Sequence, residues 1–295
     1  KRYSNVAEEP LFLSMKFCRK IMLKQWECIN VSNLTIKRKR KHTSLVVMTR
    51  EDKKNFMIKA RGTDYFSVVN GVRLHYVDWG GSGRPILLLH GLQDTARNWE
   101  HIAQALTKNH HVYALDARGH GESEWVSGHY QFEQFVTDIA SILAAVDLQD
   151  VVLIGHSAGG KYAFSHTAND DSRVSGLVII DMDPDPVNPG SGNMFVRYRE
   201  EGDEWPDIQS VVERLRSREP NTDENILHYL AEVMTNPLPD GRRVWKRDRQ
   251  IVLEYERPDA WETLAKIKVD TLIIRGADSP LLRSDVAERM KEIIP

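Results

Sequence analysis

Cysteine is scarce in this 295-residue chain: Cys18 and Cys28 are the only two. That number supports neither a disulfide scaffold nor a zinc site. Long apolar runs are also missing, and none approaches the roughly 18 residues of a membrane span. Leu11-Phe12-Leu13 is too short and too interrupted for the core of a signal peptide. No internal repeat or low-complexity tract is visible. Histidine is absent from the C-terminal part, where the last of 11 is His228. With 41% apolar residues and a formal charge of −2, the chain suits one large α/β domain with something added. A cytoplasmic location is the default expectation, with no cofactor, no metal and no membrane partner.

The overall charge conceals a break. Residues 1–61 carry 16 Lys/Arg against 5 Asp/Glu, and the rest of the chain 24 against 37. The basic part peaks at Lys37-Arg38-Lys39-Arg40-Lys41. Such a run suits nuclear import or nucleic-acid contact. The plainer reading is a solvated, disordered arm over 1–64, with no nucleic-acid partner. The chain opens on Lys1, and Met48 or Met57 is a possible true start.

From Tyr65 the pattern becomes regular. Tyr65–Val69 and Val72–Trp79 flank Asn70-Gly71, a hairpin signal. Ile86–Leu89, His111–Leu115, Val151–Ile154, Val174–Ile180 and Val269–Ile274 read as buried strands. Between them lie helical patterns, one on Trp99, Ile102, Ala103 and Leu106, another from Phe132 to Val146. Strand–helix alternation predicts a mainly parallel sheet covered on both faces. The stretch from Met182 to about Lys268, with three early prolines and then a charged helical pattern, breaks the rhythm. It reads as a helical cap. The expected organisation is a core over 65–183, a cap over 184–265, and the core resumed over 266–295, with Ser284 capping a last helix.

Gly155-His156-Ser157-Ala158-Gly159 follows a strand and opens a helix. Such a bend puts Ser157 at its tip, and the glycines are required because a Cβ two residues either side would clash where strand and helix meet. Ala158 N–H then lies at a helix N-terminus, where it donates to a developing oxyanion. The two earlier strands end in His90-Gly91 and in Asp116-x-Arg118-Gly119-x-Gly121-x-Ser123. In this order the three motifs resemble the α/β-hydrolase superfamily, in particular its lid-bearing esterase and epoxide-hydrolase type, over about residues 65–295. The resemblance implies Ser157 as nucleophile and Leu92 N–H as the second oxyanion donor. It makes His90 and His120 structural. His156 is expected to point away from the nucleophile, and Asp116 with Arg118 to form a loop-fixing ion pair.

A serine nucleophile needs a base and an orienting acid. In the superfamily the histidine follows the final strand. The chain ends at Pro295 with no histidine there, so a missing C-terminal strand and helix are expected. Two acids remain open. Asp278 lies one residue short of the usual position past Gly276, which Ser279 holds. Asp181 ends the preceding strand, an alternative used by some members. The leaning is to Asp181. Together these imply a serine hydrolase acting on a small or medium acyl substrate, a carboxylic ester first. A carbon–carbon hydrolase, a cofactor-free haloperoxidase and a non-catalytic binding module share the scaffold. Epoxide hydrolases and haloalkane dehalogenases resemble it with aspartate at the nucleophile position. Phe195, Tyr198 and Trp205 suggest an apolar pocket.

Overall fold

A computed structural model describes residues 43–48 and 62–295. Its first strands are β1 (Thr43–Met48), β2 (Thr63–Val69), β3 (Val72–Asp78), β4 (Pro85–Leu89), β5 (His111–Leu115), β6 (Val151–His156) and β7 (Val174–Ile180). After an insertion comes β11 (Asp270–Gly276). These eight form one sheet in the order β1-β11-β7-β6-β4-β5-β3-β2. The β2–β3 and β3–β5 pairs are antiparallel, and all other neighbours are parallel. The Asn70-Gly71 hairpin has φ of 52° and 74°, the paired left-handed geometry that this dipeptide favours.

The core helices are α1 (Glu100–Leu106), α2 (Phe132–Ala145), α3 (Ala158–Asn169) and, at the far end, α9 (Ser284–Ile293). Side chains alternate across the sheet. Leu87, Leu89 and Leu153 join Phe135, Ile139 and Phe164 in one apolar layer. Ile86, Leu88 and Ile154 join Trp99, Ile102 and Leu106 in the other. The parallel strands finish level: Leu89 pairs with Gly155, His156 with Ile180, and Ile180 with Ile274. The loops that follow them therefore open on one sheet edge, where ligands bind in open parallel sheets.

The insertion between β7 and β11 holds α4 (Pro189–Glu200), α5 (Ile208–Arg218), α6 (Glu224–Met234), α7 (Arg249–Leu253) and α8 (Trp261–Leu264). It is not purely helical as expected. β8 (Glu204–Trp205), β9 (Thr235–Pro237) and β10 (Arg243–Trp245) form a small antiparallel sheet in the order β8-β10-β9. Strands of two or three residues are too short to show a period-2 pattern. Val211, Leu215, Leu227 and Trp245 give this part its own apolar centre.

Two further expectations are corrected. Thr43–Met48, assigned to the basic arm, is a strand parallel to β11, in register from Thr43 opposite Thr271 to Met48 opposite Gly276. Its Leu-Val-Val run was hidden beside the basic peak. Thr63 and Asp64, also assigned to the arm, open β2, and the remainder of residues 1–61, with 37–41 included, lies outside the described residues. Ser284 does not cap α9: it is the first helical residue, and Arg283 precedes it with no side-chain cap. Among the described residues no helix is long and apolar enough to cross a membrane. No group of three or more His, Cys, Asp or Glu among them suits a metal ion.

Candidate active site

Ser157 joins β6 to α3 with φ 51° and ψ −123°, a conformation that costs free energy in a non-glycine residue. Its N–H donates to Ile180 O at 2.9 Å, and its carbonyl accepts from Gly160 N at 2.8 Å. The bend is possible because its neighbours lack side chains. A Cβ on Gly155 would lie 2.3 Å from Gly159 O, and one on Gly159 would lie 2.5 Å from both His90 O and Leu89 O. The glycines thus let α3 pack against β4 and β6 while Ser157 is carried above the sheet.

Ser157 opens into a cavity of about 360 Å³ between the sheet edge and the insertion. Leu92 and Asp181 line it with Ser157. Ala158, the first residue of α3, has no intrahelical acceptor for its N–H. Gly91 brings the β4 loop close, since a Cβ there would be 3.3 Å from Ser157 Cβ. Phe195 and Tyr198 contribute apolar wall, whereas Trp205 lies outside the lining and packs edge-on against Trp245 at 5.7 Å.

The two candidate acids differ. Asp278 is exposed and outside the cavity lining. Asp181 is buried and follows β7 with φ 51°, its N–H donating to Ile274 O at 2.8 Å. Its Oδ2 accepts from Ser279 Oγ at 2.6 Å. Ser279 Oγ in turn accepts from Leu281 N at 3.1 Å, which fixes the direction of the hydroxyl proton. Asp181 Oδ1 is buried with no hydrogen-bond partner among the described residues. Burial pushes this carboxyl above its ordinary range, against the opposing pull of the Ser279 hydroxyl.

His90 and His120 lie outside the cavity lining. His90 Nε2 accepts from Ala117 N at 3.0 Å, so its proton sits on Nδ1, which donates to Gly91 O at 2.8 Å. His120 packs against His90 with the ring centroids 5.0 Å apart and the planes tilted by 60°, and burial pushes its pKa down to about 3. Both work as struts. Asp116 and Arg118 do not pair with one another. Asp116 accepts from Ala96 N at 2.6 Å and Glu122 N at 2.9 Å and faces His75 Nδ1 at 2.6 Å. Arg118 grips Asp138 with two bonds of 2.7 Å. Each fixes its loop, but to a different neighbour, because the turn sends the two side chains apart.

His156 does not turn away from the site: it lines the cavity, its Nδ1 3.7 Å from Asp94 Oδ2. The bare Gly91 leaves room for it, a Cβ there coming within 3.1 Å of Nδ1. Asp94, Arg218 and Arg257 also line the cavity, and sequence reading passed over them. Burial alone would raise Asp94, but His156 and the Arg218 guanidinium outweigh it and hold the carboxyl well below the usual range. Arg218 Nη2 stands 3.6 Å from Asp94 Oδ1 and 2.6 Å from Glu219. The partners come from a core loop and a cap helix more than a hundred residues apart, and no local signal links them.

A sequence profile of the alpha/beta hydrolase fold matches residues 84–295. The chain is 34% identical over 128 residues to a soluble epoxide hydrolase of Corynebacterium sp. (strain C12), which covers 43% of this chain and 44% of that protein. The chain thus matches less than half the length of that relative. It is 27% identical over 249 residues to a non-heme chloroperoxidase of Kitasatospora aureofaciens, across 77% of this chain and 85% of the relative. The crystal structure of E-2-(acetamidomethylene)succinate hydrolase superposes with a TM-score of 0.73 at 22% identity, over 79% of this chain and 87% of that one. The strand order, the bend at Ser157 and the profile match agree: this chain belongs to the α/β-hydrolase-fold family.

Proposed function

We propose that the protein is a serine hydrolase that cleaves a small or medium acyl substrate, a carboxylic ester first, through an acyl-enzyme on Ser157. The observation that carries this reading is Ser157 itself, held at a strained φ of 51° where it opens into a cavity. Strain at one polar residue in such a cavity is a feature of functional sites. Ser157 Oγ attacks the substrate carbonyl and gives its proton to a base. The carbonyl oxygen takes up negative charge and receives the N–H groups of Leu92 and Ala158. The alcohol leaves with a proton, and water then releases the acid and restores Ser157.

Asp181 is the acid in this scheme. Ser279 occupies one of its oxygens, and Oδ1 remains to accept a ring N–H from a histidine base. Serine at the nucleophile position argues against carrying over the activity in the name of the epoxide hydrolase relative, because that chemistry goes with aspartate there. The test is hydrolysis of p-nitrophenyl butyrate by the full-length protein. Turnover should be lost in Ser157→Ala by a factor on the order of 10⁴ or more. Turnover that survives the substitution would refute the scheme.

A further inference from the structure

The cap side of the cavity holds hydrogen-bond donors that the protein leaves unspent. Three arginines line it: Arg197, Arg218 and Arg257. Arg218 is engaged by Glu219 and Asp94. Arg257 is buried to nine-tenths, and its Nη2 is held by Asp183 and by Asp185 O at 3.1 Å. Its Nε is buried with no hydrogen-bond partner among the described residues. That N–H is closed off from the cavity, so Arg257 braces the start of the cap and offers no contact to a ligand.

Arg197 stands apart from both. It is exposed, its side chain has no hydrogen bond or ion pair with any described residue, and its guanidinium carbon lies 6.0 Å from the Tyr198 ring centroid. It is carried by α4, whose Met194, Phe195 and Tyr198 line the same cavity. A guanidinium presents paired N–H groups matched to a carboxylate. Asp94, Asp181 and Glu219 also line the cavity and repel an anion, which leaves Arg197 as the lining cation with no carboxylate beside it.

We infer that the cavity takes acyl substrates bearing a second, non-reacting carboxylate, such as half-esters of short dicarboxylic acids, with Arg197 as the recognition group. This deepens the serine-hydrolase reading and rests on it for which end of the substrate reacts. Binding itself is independent of turnover. Calorimetry on the Ser157→Ala protein compares monomethyl glutarate with its neutral counterpart, dimethyl glutarate. The half-ester should bind about tenfold more tightly at low salt, the size of one charge-assisted contact. That advantage should shrink in 0.5 M NaCl as the exposed part of the pair is screened.

Arg197→Gln should bring the ratio close to one, Arg197→Lys should keep most of it, and Arg197→Glu should invert it. Equal affinity for the two esters, or a preference that survives Arg197→Gln, would overturn the inference. Failure of the serine-hydrolase reading looks different. Ester turnover would then persist in Ser157→Ala, while the half-ester preference in binding stood or fell by itself.

Discussion

Gly159 stands so near β4 that a methyl group on it would lie 2.5 Å from two backbone oxygens. Backbone cannot swing aside as a flexible side chain can, so Gly159→Ala should cost about 3 kcal/mol or prevent folding. Gly202, with open space around its Cβ direction, serves as control, and Gly202→Ala should change stability little. Urea melts of both variants check this; equal midpoints would mean that the bend has room to relax. The acid is tested at the same scale. In the full-length protein Asp181→Asn should cut turnover by roughly 10⁴ while Asp278→Asn is mild. The opposite pattern would transfer the role to Asp278. Ser279→Ala removes a donor that favours the charged carboxylate. It should lower turnover by about tenfold and move the acid limb of the pH–rate profile upward, and Ser279→Thr should restore both. A profile unmoved by Ser279→Ala would rule out that role for the hydroxyl.

Among elements, α3 does more than support the bend at its start. One turn in, Lys161 is fully buried, and its Nζ donates to Pro184 O at 3.2 Å and Asp185 O at 3.1 Å, where the chain leaves the sheet for the cap. Burial, with the Arg257 charge adding to it, pushes its pKa down from 10.5 to about 8. Between those values the unfolded chain holds a proton that the folded chain has released, so stability rises with pH across that window. The lysine should contribute a rise of about 3 kcal/mol between pH 8 and 10.5. Lys161→Met should remove it; the same rise in the variant would exclude Lys161 as its source. The elements themselves were largely legible. Ile86–Leu89, Val151–Ile154 and Val174–Ile180 are apolar runs bounded by turn residues, and burial on both faces leaves that signature. The cap sheet was not legible, because strands of two or three residues are too short to show alternation. His156 and Asp94 were misread or missed because their contact depends on empty space at Gly91.

For the whole molecule, β1 was the largest departure from expectation. It covers the side of β11 away from β7, and that side would otherwise present unpaired N–H and C=O groups. Truncation up to Gly62 removes β1 and should lower the melting temperature by about 5 °C or more and promote self-association. A truncated protein that melts unchanged and stays monomeric would show that β1 contributes nothing to the edge. The motif order from His90 to Ser157 made the family legible across the core. The choice between the acids needed the fold, since burial and a place in the cavity lining separate Asp181 from the exposed Asp278.

The central claim is that Ser157 is the nucleophile, and a fluorophosphonate probe on the full-length protein, followed by peptide mapping, tests it most directly. The account predicts a single adduct on Ser157, absent from Ser157→Ala and formed much more slowly in Asp181→Asn. An adduct on another residue, or ester turnover by a protein whose Ser157 stays unlabelled, would contradict it.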